Sequence, residues 1–154
     1  MQMPKPSEQH QRLQRLVGTW SGEETMKPSP WDPRGGTAAA KIVSRTALDG
    51  MHVVTDYEQK RDGTVTFEGH GVFGYDAPRE TYTMYWFDSM GFDPGGPARG
   101  RWENDTLSFE HETTMGRSRY IHKLLEEDRY EFRIEMSQDG EHFQTWMSAT
   151  YHRS

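Results

Sequence analysis

From Tyr130 to Met136 the chain alternates, with Tyr130, Phe132, Ile134 and Met136 apolar and Glu131, Arg133 and Glu135 charged between them. A period of two puts the four apolar side chains on one face of an extended strand, with the charges on the other. The same period recurs in Leu107, Phe109, His111, Thr113 and Met115, and in Phe143, Thr145, Met147, Ala149 and Tyr151. It recurs again in Val65, Phe67, Phe73 and Tyr75, which leaves His70 facing outward. Tyr82 to Phe87 is apolar on both sides, and there Tyr82, Met84 and Trp86 are taken as the inward set. Near the N-terminus the period is different: Leu13, Leu16 and Val17 share one face at helical spacing, Ser7 stands where a helix cap would, and Gly18 where a helix would end. The pattern predicts a tail over 1–6, one helix of about three turns over 7–17, and strands over 19–153.

Turn-forming clusters punctuate the strand region: KPSPWDPRGG at 27–36, then 49–50, 61–63, DAPRE at 76–80, GFDPGGP at 91–97, 103–105, 115–116, 126–128 and 138–140. Nine connections join ten strands. Most of them are short, so consecutive strands pair as antiparallel hairpins in an up-and-down meander, and closing that meander removes both free edges. The fold class is therefore all-β, a ten-stranded antiparallel barrel with the helix laid across one end. In a closed meander the first and last strands are neighbours, so Arg153 can stack on Trp20 near the closed end.

Composition narrows the picture. At 154 residues the chain reads as one domain, and 12% aromatic residues are too many for a disordered tail. With no cysteine there is neither a disulfide framework nor a thiolate metal site, and the default compartment is the cytoplasm. MQMPKPSEQHQ holds no apolar run that would serve a signal peptide, and no run approaches a membrane span. A net charge of -6 with interleaved signs offers no basic stripe, so nucleic acid is not an expected partner.

Gly18-Thr19-Trp20 with the late Arg153 resembles the Gly-x-Trp and terminal Arg pairing of the calycin superfamily, which includes the lipocalins and fatty-acid-binding proteins. LVGTWSGEETM, ALDGMHVVTDYEQ, GHGVFGYD and YTMYWFDSMG are together similar to a bacterial family, domain of unknown function 1579, over most of the chain from Leu16 onward. The resemblance implies a calycin-like barrel and names no activity. The nitrobindin-like haem proteins, a neighbouring branch, place the haem-ligating histidine three residues before an alanine of the last strand. Counting back from Ala149 reaches Trp146, so the resemblance supplies no haem ligand there.

The seven histidines show no His-Glu-x-x-His spacing, and no metal or other cofactor is expected. Gly69 and Gly71 beside His70 mark a bend or bulge. His70, Asp88 and Ser89 could be drawn together as a hydrolytic trio, but no Gly-x-Ser-x-Gly turn carries Ser89. His111, Glu112, Arg117, Arg119 and His122 flank one tight turn and read as solvated rim charges, with orientation of an acidic headgroup as the alternative.

The favoured reading is non-catalytic binding of a small, partly apolar or amphipathic molecule inside the barrel, because ten strands enclose more room than side chains easily fill. Tyr82, Met84, Trp86, Phe109, Phe132 and Met147 would line the cavity, His111 and Thr145 would orient the guest, and Trp31 on the longest connection would act as a lid. Two alternatives stand beside it. One is an enzyme using His70 or His111 with Asp88 or Glu112; the other is a haem or porphyrin protein ligated through His111. A homodimer is left open.

Overall fold

Ser7 begins the first element. Its backbone N–H donates to His10 Nδ1 at 2.9 Å, which closes the start of α1 (Glu8–Arg12). In the structure, a computed structural model that describes residues 1–30, 32–114 and 116–154, this helix is shorter than the periodicity predicts. A 3-10 turn over Leu13–Leu16 completes it. Residues three apart eclipse in a 3-10 turn, so Leu13 and Leu16 point the same way, and both are buried. Val17 is only partly buried.

Ten strands follow: β1 (Gly18–Met26), β2 (Gly36–Ala47), β3 (His52–Arg61), β4 (Thr64–Asp76), β5 (Thr81–Asp88), β6 (Ala98–Glu103), β7 (Thr106–Thr113), β8 (Gly116–Glu126), β9 (Arg129–Ser137) and β10 (Gln144–Arg153). Every consecutive pair is antiparallel, and β1 also pairs with β10, with Trp20 opposite Arg153. The barrel is closed, as the turn spacing and alternation predict. Among the described residues no helix is long and apolar enough to cross a membrane.

Gly18 makes the corner between the helical turn and β1. Its φ is +142°, and an added Cβ would run into the Arg153 guanidinium, so both the backbone and the space require glycine. Arg153 then lies over the Trp20 ring at 4.1 Å and donates to the carbonyls of Val17 and Glu127.

Three irregularities alter the alternation. In β4 the register slips against β3 around Thr66, so Val65 leaves the inward set and sits exposed opposite Lys60. In β10 a bulge at Trp146 separates Thr145, opposite Glu135, from Met147, opposite Ile134. Phe143 and Thr145 therefore lie on the outer face; Phe143 stacks under the outward Arg119 at 3.6 Å. One extra residue moves every side chain beyond it to the other face. The third irregularity lies at Leu124/Glu126 of β8, near the helix end.

Pairing between β5 and β6 covers only Tyr82–Met84 with Gly100–Ala98. Tyr85 to Asp88 of β5 have no β6 partner, and β6 reaches β7 no further than Arg99 opposite Glu110. Residues 89–97 cross this slit at the end of the barrel away from the helix.

Candidate functional site

The barrel interior divides into two halves. At the helix end Leu13, Leu16, Trp20, Val53, Leu107 and Tyr130 pack into a closed core. Trp20 Nε1 donates to the Leu16 carbonyl at 2.9 Å, and its ring meets Tyr130 edge-on at 4.7 Å. Tyr82 belongs to this half, since its hydroxyl reaches the Gln9 carbonyl at 2.8 Å and pins the helix.

Towards the other end polar and half-buried side chains join the inward face, beside buried ones such as Met26 and Met147. Glu24 is fully buried, although it carries a carboxylate. The alternation that points Trp20 inward points Glu24 the same way, and β3 and β10 bring its donors. Tyr57 Oη donates at 2.6 Å and Gln59 Nε2 at 2.9 Å to one carboxylate oxygen, while Tyr151 Oη donates to the other. Burial first, then the charge of Glu24 and the hydrogen bond to it, push the Tyr57 phenol well above its ordinary range. Burial and Glu24 raise Tyr151 in the same way. Both hydroxyls therefore stay protonated and remain donors.

Above this cluster the inward side chains are aromatic. Tyr57 meets Phe67 at 6.1 Å and Trp86 at 5.8 Å, both edge-on. The Trp86 indole lies across Gly69 and Gly71, where a Cβ at 69 would overlap the ring and one at 71 would meet it at 3.2 Å. These glycines are a flat bed for an aromatic ring, and the register with β5 runs unbroken through them. Trp86 Nε1 donates to Asp88 at 3.0 Å, which fixes the ring at the edge of the slit. Arg61 bonds Asp32 at 2.7 Å and so ties the connection 27–35 to the mouth.

The predicted lining divides by burial, with Met147, opposite Met26, at the mouth end. Tyr82, Met84, Phe109 and Met147 are buried in the core, whereas Trp86, His111 and Phe132 are half-exposed. Thr145 faces outward by its register. Trp31 lies outside the described residues. His122, expected among the solvated rim charges, is buried, with Nδ1 at 3.3 Å from the Leu107 carbonyl and its ring 4.8 Å from Phe132. Burial pushes its pKa down to about 4, so it is neutral in the fold. The parity of Tyr120 and Leu124 on the same strand was the signal for this.

The hydrolytic trio is not assembled by hydrogen bonds. His70 Nδ1 bonds Asp56 at 2.8 Å, Ser89 Oγ accepts from the Glu68 N–H, and Asp88 serves Trp86 and the Met90 N–H. The three residues share only a groove of about 570 Å³ on the outer wall, with Val43 and Phe87. A second outer groove, of about 500 Å³, runs over β1, β10, β9 and β8 between charged side chains. Among the described residues no group of three or more histidine, aspartate or glutamate side chains could hold a metal ion.

A family model matches residues 5–153, nearly the whole chain. The chain belongs to that family, Protein of unknown function (DUF1579). No curated protein matches this DUF1579 chain. Among solved structures it is similar to Rv2717c from M. tuberculosis, with a TM-score of 0.70 and 15% identity, covering 96% of this chain and 98% of that one. It is also similar to the S-type phycobiliprotein lyase CPES from Guillardia theta, with a TM-score of 0.70 and 10% identity, covering 96% and 93%. At these identities the likeness is one of fold, and it agrees with a calycin-like barrel.

Proposed function

We propose that the chain binds a small, partly apolar molecule at the open half of its barrel. The observation that carries this is the contrast in burial along the inward face: Tyr57, Trp86, Tyr120, Phe132 and Ile134 point inward and stay only partly buried, whereas Leu13, Leu16, Trp20, Leu107 and Tyr130 at the helix end are buried. Aromatic surface left in contact with water on a concave wall gains free energy when a guest covers it. The slit beside Tyr85–Asp88 gives such a guest a way in. The phycobiliprotein lyase of the same fold adds a precedent for this kind of barrel in a protein that handles a small molecule.

Native mass spectrometry of freshly purified protein tests for a co-purified molecule, and titration with an environment-sensitive apolar dye tests the place. One dye per chain is expected, with about tenfold weaker binding in Trp86→Ala, the loss of roughly 1.4 kcal/mol of contact. Phe87→Ala, on the outer wall, should leave the affinity unchanged. Dye binding that ignores Trp86→Ala and falls with Phe87→Ala would place the apolar site outside the barrel and end the proposal.

A further inference from the structure

The charge carried by the open half selects among apolar guests, an inference that rests on the binding reading above. All three groups that reach Glu24 are donors: the two phenols and the Gln59 amide. Both oxygens of Glu24 are thus met by groups that can donate, a surrounding able to hold a carboxylate. No lysine, arginine or histidine among the described residues forms an ion pair with it. The nearby cation, Arg61, is turned to Asp32 and to the Gly35 carbonyl. Among the described residues Asp88 likewise accepts from neutral donors, Trp86 and the Met90 N–H. Glu24, Asp32 and Asp88 thus bring three carboxylates to this end, and among the described residues Arg61 pairs with Asp32 and leaves Glu24 and Asp88 without an ion pair.

A buried anion without a counter-ion is costly, and a cation entering from the mouth relieves that cost. The rings of Tyr57, Phe67, Trp86 and Tyr120 present faces that attract positive charge. An apolar guest ending in a carboxylate finds the opposite: Arg61 is already held by Asp32, and Glu24 and Asp88 repel it. We infer that the occupant is a cationic amphiphile, an apolar body bearing an ammonium or similar positive group, with Glu24 as its buried counter-charge and the aromatic rings around it.

The test compares decyltrimethylammonium, decanoate and 1-decanol, which share one chain and differ in charge, by calorimetry and tryptophan fluorescence below micelle formation. The ammonium is expected to bind at least about tenfold tighter than decanoate, and added salt should narrow the difference. In Glu24→Gln, whose amide oxygen can accept from one phenol while its NH2 donates to the oxygen of the other, the preference should vanish while decanol affinity stays the same. Asp88→Asn, at the edge of the slit, should reduce the preference part-way and serves if the buried variant does not fold. Decanoate binding as tightly as the ammonium, with Trp86→Ala still weakening all three, would overturn the charge assignment and leave the binding site standing. No binding of any of the three would overturn both.

Discussion

The two ends of the barrel are made of the same strands and spend their side chains differently. At the helix end Trp20 is sealed by Leu16, Tyr130 and Arg153, and Leu13 and Leu107 are almost wholly removed from water. At the mouth the inward positions hold Glu24, Gln59, Arg61 and half-exposed rings, and the wall itself is unpaired beside Tyr85–Asp88. Stability is concentrated where apolar area is buried, and the proposed site lies at the other end, where less of it is. Changes at the helix end should therefore act on the unfolding free energy, and changes at the mouth mainly on binding.

The largest effect is expected for Trp20→Ala. It removes a fully buried indole, its bond to Leu16 and the ring under Arg153, and losses of about 3–5 kcal/mol are usual for such a truncation. Urea unfolding should show the midpoint falling steeply with little change in slope. A loss below about 1 kcal/mol would mean that the helix end is not the stabilising half.

Next in size is a pH dependence from His122, between the two halves. Its folded pKa lies near 4 against 6.5 for the free side chain, so the fold favours the neutral form. Its contribution is fully present above pH 6.5 and is lost as pH falls towards 4, because the unfolded chain takes up the proton first; the total is about 3 kcal/mol. His10, also lowered by burial and by the charge of His52, adds in the same direction. Asp76, held low by Arg99 and Arg79, acts only below its ordinary value of 3.8 and so outside this window. Chemical unfolding between pH 7 and 4 should show the decline, and His122→Phe, which suits the surrounding rings, should flatten most of it.

These contrasts were unequally visible in the sequence. The closed end was legible because its signals are local: Gly18 at a helix stop, Trp20 at the head of an alternating stretch, Arg153 at the end of the last strand, and a turn cluster at each of the nine connections. The mouth was not, because its chemistry depends on distant partners. Glu24 sits in the same strand as Trp20 and at the same parity, yet a lone glutamate reads as solvated until Tyr57, 33 residues on, and Tyr151, 127 residues on, are known to donate to it. Trp146 and Thr66 flip parity with no glycine to mark the slip, so alternation alone puts Thr145 and Val65 on the inner face although both lie on the outer one. Gly69 and Gly71 suggested a bulge, and only the position of Trp86 shows what they accommodate.

Those two glycines give a graded probe of the mouth. In Gly69→Ala the new methyl overlaps the indole, so Trp86 has to move, whereas in Gly71→Ala it meets the ring at 3.2 Å and a shift of a few tenths of an ångström suffices. Overpacking of this kind typically costs about 1–3 kcal/mol, and near the open slit the ring has somewhere to go, which places Gly69→Ala at the lower end. Dye affinity should fall for Gly69→Ala and hold for Gly71→Ala, with tryptophan emission shifting only in the former. Equal effects on stability and none on binding would make this half a part of the core.

The smallest expected effect is the most exacting check on the closed end. Arg153→Met keeps an unbranched apolar stem over Trp20 but deletes the guanidinium that stacks on it and donates to Val17 and Glu127. The cation–π contact contributes about 1 kcal/mol, and exposed hydrogen bonds to carbonyls that water can replace add little more. Pairing the variant with Gly18→Ala separates packing from charge. In the wild-type background the alanine Cβ collides with the guanidinium as well as straining φ at +142°; in Arg153→Met only the strain remains. The two substitutions should therefore be less than additive, by an amount equal to the relieved clash. Strict additivity would show that the arginine yields freely and that Gly18 is required by its backbone angle alone.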